Sequence, residues 1–144
     1  MPSADLQRFV TAQDEGDTFA IAMRELTEGH KESHWMWFVF PQITGLGSSP
    51  MARRYSLTSV DEAAEYLTHP VLGPRLLQAT KAVLDVQDAT AIGVLGTVDA
   101  MKLLSSMTLF HRADPDEPLF AQVLERFFAG TPDAATDAVI AKGG

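Results

Sequence analysis

The chain has no cysteine, and that one absence removes a disulfide framework, a thiolate nucleophile and cysteine-ligated zinc together. It also fits a reducing compartment. Basic charge is scarce: 11 lysines and arginines stand against 19 acidic residues, a formal charge of −8. A nucleic-acid binder needs a basic face, so no nucleic-acid partner is expected. No apolar run approaches the roughly 20 residues that span a bilayer. Residues 1–10 also lack a basic start followed by a continuous apolar stretch. No membrane partner is expected, and a soluble, cytoplasmic protein is the simplest reading. Period-2 alternation and internal repeats are both missing. There is no phosphate loop, since Gly45-Leu46-Gly47 alone is too weak a signal. Carboxylates are plentiful, yet no acid/base pair stands out.

What is present is the composition of an ordinary globular protein, 46% hydrophobic and 21% charged over 144 residues. That length is one domain, 1–144, with 129–144 expected to be weakly ordered. Its punctuation is helical. Asp5 can cap a first helix carrying Leu6, Phe9 and Val10, and Gly29 ends a second that follows Asp17. Ser49-Pro50 offers a cap and a first-turn proline, and Ser59 with Glu62 matches a capping box. His69-Pro70 breaks that helix and opens a longer one to about Val86, whose first turn Gly73-Pro74 can delay. A short turn at 91–95 stops at Gly96. Thr97 is expected to cap a helix to about Arg112, followed by one over 119–128 and a weak last one over 133–140. The fold class is all-α: a compact single-domain bundle of about seven or eight helices.

The densest segment is Ser33-His34-Trp35-Met36-Trp37-Phe38-Val39-Phe40-Pro41-Gln42, which holds both tryptophans of the chain. Ser33 can cap a short helix through it and Pro41 closes it, although the aromatics around Val39 suit a strand equally. On a helix, residues two apart lie about 200° apart, so one indole can join the core while the other meets a second environment. The segment is either the centre of the core or the wall of a pocket.

Two further groups bear on chemistry. On a wheel of the helix from Thr97, Ala100, Met101, Leu103, Leu104, Met107 and Phe110 face the core. Asp99, Lys102, Ser105 and Ser106 share the other half with Leu109. That half is either a solvated face with a weak ion pair or a pocket wall. As a pocket wall, Lys102 meets an anion and the serine hydroxyls serve as adaptable donors and acceptors. Arg53-Arg54 beside Tyr55 is the only adjacent arginine pair; it either neutralises carboxylates or binds an anionic ligand bidentately. His30 and His34 are four apart across a helix boundary and lack the glutamate of a metalloprotease helix, so no metal and no cofactor are expected.

Three blocks carry a family resemblance: 33–42, Ser49-Pro50-Met51-Ala52-Arg53-Arg54-Tyr55, and 99–110 with Lys102-Leu103-Leu104-Ser105-Ser106. Together with Glu62 to Leu76 they are similar to the DUF1810 family, over about residues 5–128. The resemblance implies a mainly helical single domain and names no activity. Members sometimes carry the label calpastatin, but such inhibitors are disordered, polar chains, unlike this composition. More loosely, Ser33-His34-Trp35 and His69-Pro70-Val71-Leu72 are similar to the NADAR group, helical proteins linked to ADP-ribose and related N-glycosides. That likeness implies a catalytic carboxylate; Glu32 precedes Ser33 rather than following it, which leaves Asp99 as the candidate acid/base or ion stabiliser.

Two functions follow as expectations. In the first, the 33–42 and 99–106 segments converge on one cavity. There His34, Trp35, Trp37, Gln42, Arg53, Arg54, Tyr55, Lys102, Ser105 and Ser106 bind a nucleotide-derived small molecule, and Asp99 serves any hydrolysis. In the second, the domain is a non-enzymatic interaction or assembly module with an exposed apolar patch.

Overall fold

Ser49 and Pro50 start a helix as their order predicts: Ser49 Oγ accepts from the Ala52 N–H at 3.1 Å and Pro50 occupies the first turn. Equivalent punctuation sets most of the chain. The computed structural model describes residues 6–143, so Asp5 and its expected cap lie outside the described residues. The helices are α1 (Gln7–Asp14), α2 (Thr18–Glu28), α3 (Met36–Val39), α4 (Pro50–Arg54) and α5 (Val60–Thr68). They continue with α6 (Leu72–Leu84), α7 (Ala91–Leu95), α8 (Thr97–Ala113), α9 (Pro118–Phe128) and α10 (Ala134–Ala141). Seven of the ten reach eight residues or more. Among the described residues there is no strand, only an isolated parallel bridge between Ile43 and Leu57. No described helix is long and apolar enough to cross a membrane.

Several helix ends differ from the sequence expectation. Ser59 Oγ takes the Glu62 N–H at 3.0 Å, but Glu62 returns its carboxylate to the Thr58 N–H at 2.9 Å, one residue earlier than a capping box places it. α6 begins at Leu72 because His69 Nδ1 accepts from the Val71 and Leu72 N–H groups, which would otherwise be orphaned. Gly73 fits there by close approach, since a Cβ would stand 2.1 Å from the Leu67 carbonyl oxygen. Thr97 is the first residue of α8 rather than its cap, which is Gly96. Glu117 caps α9 and Asp133 caps α10 through their carboxylates.

The largest departure is α8 itself. It packs against α5, α7, α9 and α10 and touches α3, so it runs through the middle of the molecule. Ser105, Ser106, Met107, Thr108, Leu109 and Phe110 are therefore all buried in succession, which no two-faced wheel allows. Met101, expected in the core, is 54% exposed. An aromatic chain runs from Phe9 to Tyr66 (5.3 Å), on to Phe110 (5.4 Å) and Phe120 (5.8 Å), joining α1, α5, α8 and α9.

Candidate functional site

The aromatic segment is shaped from below by Glu25. This carboxylate on α2 is almost fully buried, and it accepts four bonds from the turn after α2. Oε1 takes the N–H groups of Glu32 and Ser33 and the Trp35 Nε1–H, each at 2.9 Å, while Oε2 takes Ser33 Oγ at 2.6 Å. Burial alone would raise the Glu25 carboxyl; the bonds from Ser33, Glu32 and Trp35 outweigh it and hold it down at about 2. Ser33 is thus bound to Glu25 and does not cap α3, which starts at Met36, two residues later than a Ser33 cap implies.

The two tryptophans divide as their spacing predicts. Trp35 is fully buried, and Trp37 stands half-buried at the surface. Each carries a lysine over its ring: Lys31 Nζ lies 5.0 Å from the Trp35 centroid and Lys102 Nζ 4.6 Å from that of Trp37. Asp99 sits between the two ammonium groups, with Oδ2 at 2.8 Å from Lys31 and Oδ1 at 3.5 Å from Lys102. The side chains of Lys31, Asp99 and Lys102 are only 7%, 19% and 19% exposed. One carboxylate therefore serves two largely buried cations.

Trp37 and Lys102 open onto a cleft of about 470 Å³ between the 42–49 loop, α4, α8 and the start of α10. Gln42 enters it because its backbone is pinned next to the bridge: the Leu57 N–H donates to the Gln42 carbonyl at 2.9 Å, and the Thr44 N–H to that of Leu57 at 2.8 Å. Gly47 lets the loop lie against α4, for a Cβ there would stand 2.6 Å from the Ala52 Cβ. Ser105 Oγ lies 2.8 Å from Asp133 Oδ2, which also takes the Thr136 hydroxyl at 2.6 Å. Val98 and Met101 form an apolar rim.

Of the residues singled out in the sequence, the cleft gathers Trp37, Gln42, Lys102 and Ser105. Asp99 lies behind Lys102, and Trp35 lies inside, bonded to Glu25. Tyr55 is buried between Phe9 and Phe38, with ring centroids 5.8 and 5.3 Å away. Ser106 is fully buried, and its hydroxyl has no hydrogen-bond partner among the described residues. Arg53, Arg54 and His34 are exposed away from the cleft, the Arg54 guanidinium resting 5.3 Å from the Tyr55 ring centroid. The sequence reading missed Glu25, Lys31 and Asp133. Glu25 had a signal, since it lies within about 60° of Ala22 on the helical wheel, and Ala22 is a core residue. Lys31 and Asp133 had no signal for the cleft, because the partners that tie them to it, Asp99 and Ser105, are far along the chain.

Comparison with known proteins agrees with this architecture. No curated protein matches the chain. A solved structure, that of the conserved hypothetical protein Rv1873 from Mycobacterium tuberculosis at 1.38 Å, is 46% identical with a TM-score of 0.92. The match covers 95% of this chain and 96% of that one. A family model described as "Protein of unknown function (DUF1810)" matches residues 3–140, and with nearly its whole length inside that model the chain belongs to the DUF1810 family.

Proposed function

We propose that this is a small-molecule-binding domain whose ligand, an anion derived from a nucleotide, lies in the cleft beside Trp37. One observation supports this most: two segments sixty positions apart deliver an indole, an amide, an ammonium and a hydroxyl (Trp37, Gln42, Lys102 and Ser105) to one concavity. Its volume, about 470 Å³, lies within the usual range for ligand pockets. In this reading Lys102 meets a phosphate oxygen, Gln42 and Ser105 meet sugar hydroxyls, and the apolar rim packs on a base or ribose. The choice of a nucleotide comes from the looser likeness to the NADAR group. Binding has more support than hydrolysis, because both oxygens of Asp99 already face ammonium groups. Asp99 then acts through Lys102.

Thermal unfolding with ADP-ribose, NAD, nucleotides and sugar phosphates tests this. A ligand at about 100 times its dissociation constant adds about 2.7 kcal/mol and raises the midpoint several degrees. Lys102→Ala should abolish a selective shift. No shift with any of these compounds would end the reading.

A second reading, an interaction module, has its own observation: Ile92, Val98 and Met101 are 58%, 69% and 54% exposed on α7 and α8. Ile92 lies outside the cleft lining, so Ile92→Asp should weaken any concentration-dependent association seen by sedimentation while leaving ligand shifts intact. A protein that stays monomeric at all concentrations, with or without Ile92→Asp, counts against self-assembly.

A further inference from the structure

We propose that Lys31 and Asp99 are positioning residues that keep Lys102 available to an oxyanion in the cleft, so that a phosphate or carboxylate group is what the site selects. The inference deepens the binding reading above and rests on the same cleft. A lone Asp99–Lys102 pair, three residues apart on α8, would close on itself as ordinary i,i+3 pairs do and present no net charge. Lys31 prevents this. It takes Asp99 Oδ2 at 2.8 Å and is held in turn by the Ser33 carbonyl at 2.5 Å and by the Trp35 ring. Lys102 is left with the long 3.5 Å contact to Oδ1 and the face of Trp37. No hydrogen bond of its ammonium is found among the described residues.

The three charges sum to one positive charge at the wall that Lys102 lines, in a protein whose formal charge is −8; the carboxylate of Asp133, also in the cleft lining, is taken up by the Ser105 and Thr136 hydroxyls and the Thr136 N–H. An ammonium that is four-fifths buried, with unused donors beside a half-buried indole, suits an incoming oxyanion. A neutral carbonyl or hydroxyl oxygen accepts from those donors more weakly and leaves the charge uncompensated. Because Glu25 fixes residues 32–35, Lys31 does not drift, and the arrangement is set before any ligand arrives.

Trp37 reports this charge without any ligand, since Trp35 is fully buried and inaccessible to ionic quenchers. Iodide, caesium and the neutral quencher acrylamide are compared on the intact chain. A unit charge about 6 Å away in water changes local ion concentration about threefold. Iodide should therefore quench Trp37 better than caesium in the unsubstituted protein, despite the acidic surface. Lys31→Met keeps the apolar stem over Trp35 but frees Asp99 to close on Lys102; iodide quenching should fall about threefold, toward the Lys102→Ala level, with acrylamide quenching unchanged. Lys31→Met with Asp99→Asn should restore it, which mere structural damage at position 31 would not. Unchanged iodide quenching in Lys31→Met, or no recovery in the double variant, overturns the positioning role. The expected iodide pattern with no response to ADP-ribose, inorganic phosphate or acetate would leave the positioning of Lys102 standing and overturn both the oxyanion selection and the nucleotide reading.

Discussion

Glu25→Ala should lower stability by about 3–5 kcal/mol, the scale seen when one partner of a buried charged network is removed. Four donors lose their acceptor together: the Glu32 and Ser33 N–H groups, the Ser33 hydroxyl and the Trp35 indole N–H. Each buried donor left unsatisfied costs about 1–3 kcal/mol, offset in part where water reaches the partly buried turn. Urea unfolding reads the result as a lower midpoint with an unchanged slope. A change under 1 kcal/mol would mean that the turn holds itself. Glu25→Gln separates charge from shape, because the amide keeps one accepting oxygen and turns the other position into a donor facing Ser33.

The same carboxylate sets a pH dependence. Its folded-state value is about 2 against an ordinary 4.5, so the folded state favours the ionised form. The stabilisation is complete above about 4.5 and is lost as pH falls toward 2. A shift of this size corresponds to about 3 kcal/mol. The acid midpoint of Glu25→Gln should lack this component. Identical acid curves for the two proteins would refute it. Since the turn also carries Lys31 and Trp35, quenching of Trp37 should change in Glu25→Ala even where the fold persists.

Much of the fold was legible because helix ends are local. Gly29 in the left-handed conformation, Ser49 with Pro50, and the Ser59 hydroxyl on the Glu62 N–H each depend on residues within a few positions. α8 shows where locality ends. Its wheel has one clear apolar half, yet four neighbours close around it, and Ser106 and Thr108 become buried while Met101 turns outward. Periodicity assumes one buried face, and a central helix has more than one. The cleft was half legible for a related reason. Trp37, Lys102 and Ser105 follow from residue type and helical spacing, and Gln42 from its place at the end of the aromatic block. Lys31 and Asp99 are 68 positions apart, and Ser105 and Asp133 are 28 apart, so only tertiary packing brings them together. The arginine pair stands outside this cleft because charge density in sequence carries no direction: α4 is short, and it turns Ala52 rather than Arg53 toward the cleft.

Phe110→Ala separates the core from the cleft. The ring is fully buried and stands between Tyr66 on α5 and Phe120 on α9, with centroids 5.4 and 5.8 Å away. Truncation removes both ring contacts and leaves a cavity that α8, fixed by its other neighbours, cannot collapse to fill. Such substitutions cost about 3–5 kcal/mol. At this chain length that is a fall of about 10–20 °C in the thermal midpoint. Phe110→Leu retains most of the volume and should cost about 1.5 kcal/mol or less. Lys102, eight residues earlier, lies about 12 Å up the same helix. Well below its lowered midpoint, Phe110→Ala should therefore keep the iodide-over-caesium preference of Trp37. The converse holds for Lys102→Ala, an exchange at the cleft wall that removes the preference with little loss of stability. If instead Phe110→Ala abolished the preference in a protein shown to be folded, the charge at the cleft would depend on the packing of all of α8, and Lys31 and Asp99 would not be enough to hold Lys102 in place.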